Sequence, residues 1–279
     1  MTNTKLPIME IFSETFTLVK NNTSSLIKAS LSYIIVVLIM ESYRLSYVDI
    51  ESSNFNMPMF MFLALSIFTF TLLSVKFHRI FLLDDVDSPL YTKWSSRESK
   101  FLGRWLLIIL CILGLTVPLF ILLGVSGYLL LSNEQEPNIE LIETFSTVFF
   151  IPFYYFLSRF SLVLPAIAIN KSETSIKWAW KLSKGNSFRL FFILSLLPIL
   201  LEVINFTFPN SGSLAYSFGM LIFGIIILPF EIGFLSLSYK FLLESNKQNE
   251  NIENKNILVD ENFNDKIPNY QPSEINKND

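Results

Sequence analysis

The sequence predicts an all-α polytopic membrane bundle: six transmembrane helices built as three parallel helix-plus-hairpin repeats, with amphipathic helices at the membrane interface. Composition is the first ground: 51% of the residues are apolar, 28 are phenylalanine and the mean hydropathy is positive, which is the profile of a membrane protein. The second is that six apolar runs approach or exceed the about 20 residues a helix needs to cross a bilayer. The third is charge placement, because every lysine and arginine except Arg44 falls on one side of the alternation those runs impose.

The runs are, approximately, Leu26 to Met40 with its flanks, Pro58 to Val75, Leu102 to Leu131, Thr144 to Pro165, Phe188 to Phe206 and Leu214 to Leu237. The first follows "MTNTKLPIMEIFSETFTLVKNN", which is too long and polar for the start of a cleavable leader, and no small-residue cleavage site comes after it. It is therefore expected to stay as an anchor. Cationic loops are retained in the cytoplasm, so the basic residues before the first run, between the second and third, between the fourth and fifth, and after the sixth place both termini there. The opposite loops, "ESYRLSYVDIESSNFN", "SNEQEPNIE" and "TFPNSGS", are acidic or neutral. From Glu244 the chain turns to Asn, Lys, Glu and Asp, too polar to bury a core. The expected division is a membrane domain over 1–245 and a disordered cytoplasmic tail over 246–279.

An internal match organises the membrane domain. "FTLVKNNTSS" (16–25) aligns with "WKLSKGNSFR" (180–189), and "FHRIFLL", "LSRFSLV" and "SYKFLLE" place Arg79, Arg159 and Lys240 at a near-constant spacing. Such periodicity marks one unit used several times. Three units follow, 1–84, 85–169 and 170–245, each a cytoplasmic helix and a transmembrane hairpin, with "YTKWSSRESKFLGRW" as the weakest copy's helix. Two crossings per unit give every copy the same orientation, unlike the inverted repeats of many alternating-access carriers.

The third unit opens with "NKSETSIKWAWKLSKGNS" (170–187). At 100° per residue Lys177, Lys181 and Lys184 share a face, with Ile176, Ala179, Trp180 and Ser183 to one side and Trp178 and Leu182 to the other. Tryptophans at the interface and lysines towards lipid phosphates suit a helix lying in the headgroup layer; a helix packed on its neighbours has the same pattern. Asn170 or Ser172 is the expected cap at its start and Gly185 the left-handed residue at its end.

The segment 156–197, "FLSRFSLVLPAIAINKSETSIKWAWKLSKGNSFRLFFILSLL", resembles the core of bacterial YciC-like inner-membrane proteins and of the membrane domain joined to some glycerophosphoryl diester phosphodiesterases. Arg159, Leu164, Pro165, Trp180, Leu182 and Gly185 carry the likeness, and "FSETFTLVKNN" resembles the usual N-terminal start. Asn170 departs from the pattern, standing where many relatives have an acidic residue. The resemblance implies a multi-span helical protein of a bacterial inner membrane, for most members without a defined activity. It does not imply a phosphodiesterase, since that chemistry belongs to a separate soluble barrel.

Chemistry-bearing motifs are sparse. The chain has one cysteine, Cys111, and one histidine, His78; no disulfide can form within it, and His78, between Lys76 and Arg79, reads as an interfacial side chain rather than a metal ligand. No phosphate loop, HExxH helix or GxSxG elbow occurs, and Gly124 and Gly127 form the nearest glycine pattern, inside a span. No enzyme activity, metal, cofactor or nucleic-acid partner is expected. Glu202 and Glu231 stand inside spans, where an ionised carboxylate costs at least about 2.5 kcal/mol; Arg159, near the end of the fourth, either forms an ion pair with Glu231 or reaches out to the lipid phosphates and leaves Glu231 protonated. The expected function is a non-enzymatic one, through contacts with anionic phospholipid or a membrane-protein partner at Lys177, Trp178, Trp180, Lys181 and Lys184. The rival is a small transporter or channel with a cavity near Glu202 or Glu231, and an enzyme acting on lipid headgroups is a third reading that the family's neighbours suggest.

Overall fold

The computed structural model describes residues 5–47, 57–86, 94–131, 151–207 and 214–264, and all regular secondary structure among them is α-helical. In chain order the helices are α1 (Ile8–Asn21), α2 (Thr23–Tyr47), α3 (Met57–Leu83), α4 (Ser96–Leu131), α5 (151–160), α6 (Val163–Ala168), α7 (Ile176–Leu182), α8 (Ser187–Thr207) and α9 (Leu214–Asn264).

Five stretches are individually long and apolar enough to cross a membrane: Thr23–Ser46, Met57–Leu83, Ser96–Pro118, Ile151–Ala168 and Tyr216–Gln248. The sixth candidate is the bent pair Ile176–Leu182 and Ser187–Leu201, whose axes meet at 107°. Large apolar side chains stay on the outside of the bundle at helical spacing, as Ile27, Leu31, Ile35 and Ile39 do along α2 and Leu106, Leu110, Leu113 and Val117 along α4. Water would penalise such stripes, whereas lipid tails do not.

Helices α2 and α3 form an antiparallel hairpin: Tyr43 meets Phe62 with ring centroids 5.5 Å apart and Tyr33 meets Phe70 at 5.7 Å, partners advancing in opposite directions. The amphipathic α1 lies on α9 through Phe12–Phe234 and Phe16–Phe230 contacts of 4.6 and 4.8 Å. Between these rings Thr15 faces Gly233, where a Cβ would come within 2.6 Å of the threonine methyl. Helix α6 is buried along its whole length against α3, α4 and α9, so the span Ile151–Ala168 is the innermost of the five.

Two expectations change at this level. Helix α9 continues past 245 to Asn264, through most of the segment expected to be a disordered tail; a helix already nucleated in a packed span extends into polar sequence at one hydrogen bond per residue. Residues 265–279 lie outside the described residues. The stretch 170–186 is helical only from Ile176, with Ser175 and not Asn170 or Ser172 at its N-cap: the Ser175 hydroxyl accepts from the Trp178 N–H at 3.1 Å. Asn170 is occupied in closing α6, where it takes φ 56° while its N–H reaches the Ile167 carbonyl at 3.0 Å and the next N–H, of Lys171, reaches Ala166 at 2.9 Å. That is a Schellman turn, and asparagine tolerates its left-handed position.

Candidate anionic-lipid interface

Helix α7 presents its faces as its sequence dictates. Lys177, Lys181 and Lys184 are exposed, while Ala179, Leu182 and Ser183 are buried. Gly185, at φ 83°, ends the segment in the left-handed conformation that glycine adopts without strain. The corner is fastened to the start of the chain: Leu6, fully buried, donates its N–H to Asn186 Oδ1 at 2.7 Å, and Arg189 donates to the Leu6 carbonyl at 2.8 Å. Both partners stand within the first residues after the glycine, so the α7–α8 bend is pinned from outside as well as turned from within.

The two tryptophans differ in role. Trp178 is half-buried and meets Tyr239 of α9 edge-on at 6.2 Å. Trp180 is more exposed and lies over the guanidinium of Arg159, 3.2 Å from the ring centre, flanked by Phe156 and Phe160. Arg159 is only 5% exposed and donates to Ser183 Oγ at 2.8 Å, to the Trp180 carbonyl at 2.7 Å and to the Tyr155 hydroxyl at 3.3 Å. The expected Arg159–Glu231 ion pair is therefore not formed. A buried guanidinium needs acceptors within hydrogen-bond reach, and Trp180, Ser183 and Tyr155 supply them.

Glu231 instead lines a cavity of about 200 Å³ within the bundle, with Ser74, His78, Ser158 and Ser161 as further polar lining and aromatic and aliphatic side chains around them. His78 is not interfacial: it is 1% exposed and its Nδ1 lies 2.8 Å from Ser236 Oγ. Since that hydroxyl donates to the Ile232 carbonyl at 2.7 Å, Nδ1 is the donor of the pair. The side chain of Glu202 lies outside the described residues. Among the described residues no group of three or more His, Cys, Asp or Glu is placed to hold a metal ion.

The structure also gathers a cationic groove that sequence reasoning did not assemble. A cavity of about 590 Å³ is lined by Arg97, Lys100 and Arg104 from the first turns of α4 and by Lys171, Ser172 and Thr174 from the segment after α6. Arg104, Ser172 and Thr174 also line a neighbouring recess of about 530 Å³ that runs to Lys177, Trp178 and Lys181 of α7. The spacing of 97, 100 and 104 on one helical face was legible; the approach of Lys171 was not, because it depends on the turn at Asn170. Glu98, fully buried, is turned away from the groove into a capping box, accepting from the Ser95 N–H at 2.9 Å and from Arg97.

Compared with protein-family models, with curated proteins and with solved structures, the chain finds no match.

Proposed function

We propose that this chain is a non-enzymatic, multi-pass protein of a bacterial inner membrane, of the YciC-like kind its core segment resembles, acting through contacts with anionic phospholipid at α7 and its surroundings. The observation that carries the reading is the 107° corner between α7 and the apolar α8: if α8 crosses the bilayer, α7 runs along its surface and offers three exposed lysines to the phosphates. In this reading both termini are cytoplasmic, and α7 belongs to the third of three parallel units. The repeat is supported by helix starts: α2 begins at Thr23 and α8 at Ser187, positions that correspond when Phe16 is aligned with Trp180.

The test is native mass spectrometry of the purified full chain with phosphatidylglycerol. Replacing Lys177, Lys181 and Lys184 by Gln is expected to weaken lipid retention by about 1 kcal/mol per residue. Unchanged retention would make α7 a packing element only.

A second reading, a solute path, is favoured by one observation, the cavity that brings Glu231 and three serine side chains together inside the bundle. Transport by reconstituted protein that is lost in Glu231→Gln while lipid retention persists would select it.

A further inference from the structure

We propose that the groove between the start of α4 and the segment 170–174 is a binding site for the headgroup of a phosphomonoester lipid, a phosphatidate-like dianion, with its acyl chain laid along α4. The inference rests on the lipid-contact reading but concerns a different surface from the α7 lysines. Four cations from two segments distant in sequence line the cavity, and no acidic residue is among its described lining. Arg97 is held by Glu98 at 2.7 Å, which leaves Lys100, Arg104 and Lys171 without an ionic partner among the described residues. The hydroxyl-bearing Ser172 and Thr174 add hydrogen-bonding groups at the same wall.

Polarity along the groove distinguishes a lipid from a soluble phosphate. Positions 97, 100, 104 and 107 follow one face of α4, rising about 15 Å over ten residues. That face changes from cationic to apolar at Leu107, opposite Ile167, and continues to Leu110, 67% exposed, in the lipid-facing stripe. A charged head at one end and a hydrocarbon wall at the other match an amphiphile. A volume of about 590 Å³ lies within the about 300–1,000 Å³ usual for small-molecule sites. Clustered lysines and arginines gain most from a dianion, because each additional charge on the ligand meets the same set of fixed cations.

Gly103 supplies a clean probe. It lines the groove, and a Cβ built there meets nothing within 4 Å, so a side chain can start from this position without a clash and Gly103→Leu is chosen to occupy the site. The experiment measures retention of phosphatidate and of phosphatidylglycerol by the purified full chain in phosphatidylcholine nanodiscs doped with either lipid, with inorganic phosphate as competitor. Wild type is expected to prefer phosphatidate. Gly103→Leu is expected to remove that preference, and joint replacement of Lys100, Arg104 and Lys171 by Gln to lower phosphatidate affinity about 100-fold, about fivefold per residue. The α7 triple variant is expected to weaken both lipids alike and keep their ratio. Equal retention of the two lipids by wild type, or a preference that survives Gly103→Leu, overturns the groove assignment while leaving the lipid-contact reading intact; absence of any anionic-lipid retention overturns both. Displacement by inorganic phosphate as effective as by phosphatidate would assign the groove to soluble phosphate and overturn the lipid proposal.

Discussion

The guanidinium of Arg159 lies 3.2 Å from the centre of the Trp180 ring and donates to the carbonyl oxygen of the same tryptophan at 2.7 Å. With Ser183 Oγ as a further acceptor at 2.8 Å, one side chain at the end of α5 holds the C-terminal end of α7. Hydrogen bonds to a charged group contribute about 1.5–3 kcal/mol each and a desolvated cation–π contact about 2 kcal/mol. These terms are not additive, and Arg159→Ala is expected to destabilise the protein by about 3 kcal/mol in thermal unfolding of the detergent-solubilised chain. Arg159→Lys recovers only part of this, since an ammonium cannot stack flat and reach both acceptors. The exchange of Arg159→Glu with Glu231→Arg gives no rescue, in contrast to what an ion pair would show.

Thr15 and Gly233 set the distance between α1 and α9. With only 2.6 Å between the threonine methyl and a Cβ at 233, Gly233→Ala forces the helices apart despite alanine's better helix propensity. Overpacking of this kind costs about 1–3 kcal/mol. Thr15→Ser, which removes the methyl, is expected to restore stability in the double variant, and a double-mutant cycle on unfolding midpoints checks the coupling. Additive effects would mean the two residues do not limit the approach.

The α7–α8 corner is held by a small set of local devices that can be removed singly. Gly185→Ala must place a side chain at φ 83°, costing about 1 kcal/mol, and Ser175→Ala loses the N-cap bond for about 1 kcal/mol. Asn186→Ala strands the buried Leu6 N–H and should cost about 1–3 kcal/mol. Hydrogen exchange at residues 5–12 is expected to rise only in the last of these, because of these three residues only Asn186 bonds to the chain's first segment.

The charge placement makes a topology prediction. Reporter fusions after Asn138 and Ser211 are expected to report the outside, and fusions after Lys93, Lys184 and Asn246 the cytoplasm. One reporter on the wrong side breaks the six-span arrangement with both ends inside.

Local periodicity was enough to place the apolar runs, to sort α7 into a lysine face and a buried face, and to put a left-handed glycine at its end. These features depend on residues within a few turns of one another, so they survive whatever the helices pack against. The start of α7 was misplaced because Asn170 serves the helix before it, a competition that the candidate caps Asn170 and Ser172 do not reveal by themselves. The continuation of α9 was missed because composition reports whether a segment can bury a core and not whether a packed helix behind it supplies the nucleus.

By itself the sequence determined an all-helical, bilayer-compatible chain and the common exposure of Lys177, Lys181 and Lys184, because hydropathy and helical period are properties of neighbouring residues. The tertiary structure alone decided who meets whom: Arg159 with Trp180 rather than Glu231, His78 with Ser236 inside the bundle, and Lys171 with Lys100 and Arg104 across a groove. Each of those partnerships depends on the rotation and depth of one helix relative to another. Those are fixed by side-chain packing between segments far apart in the chain, to which no local pattern refers.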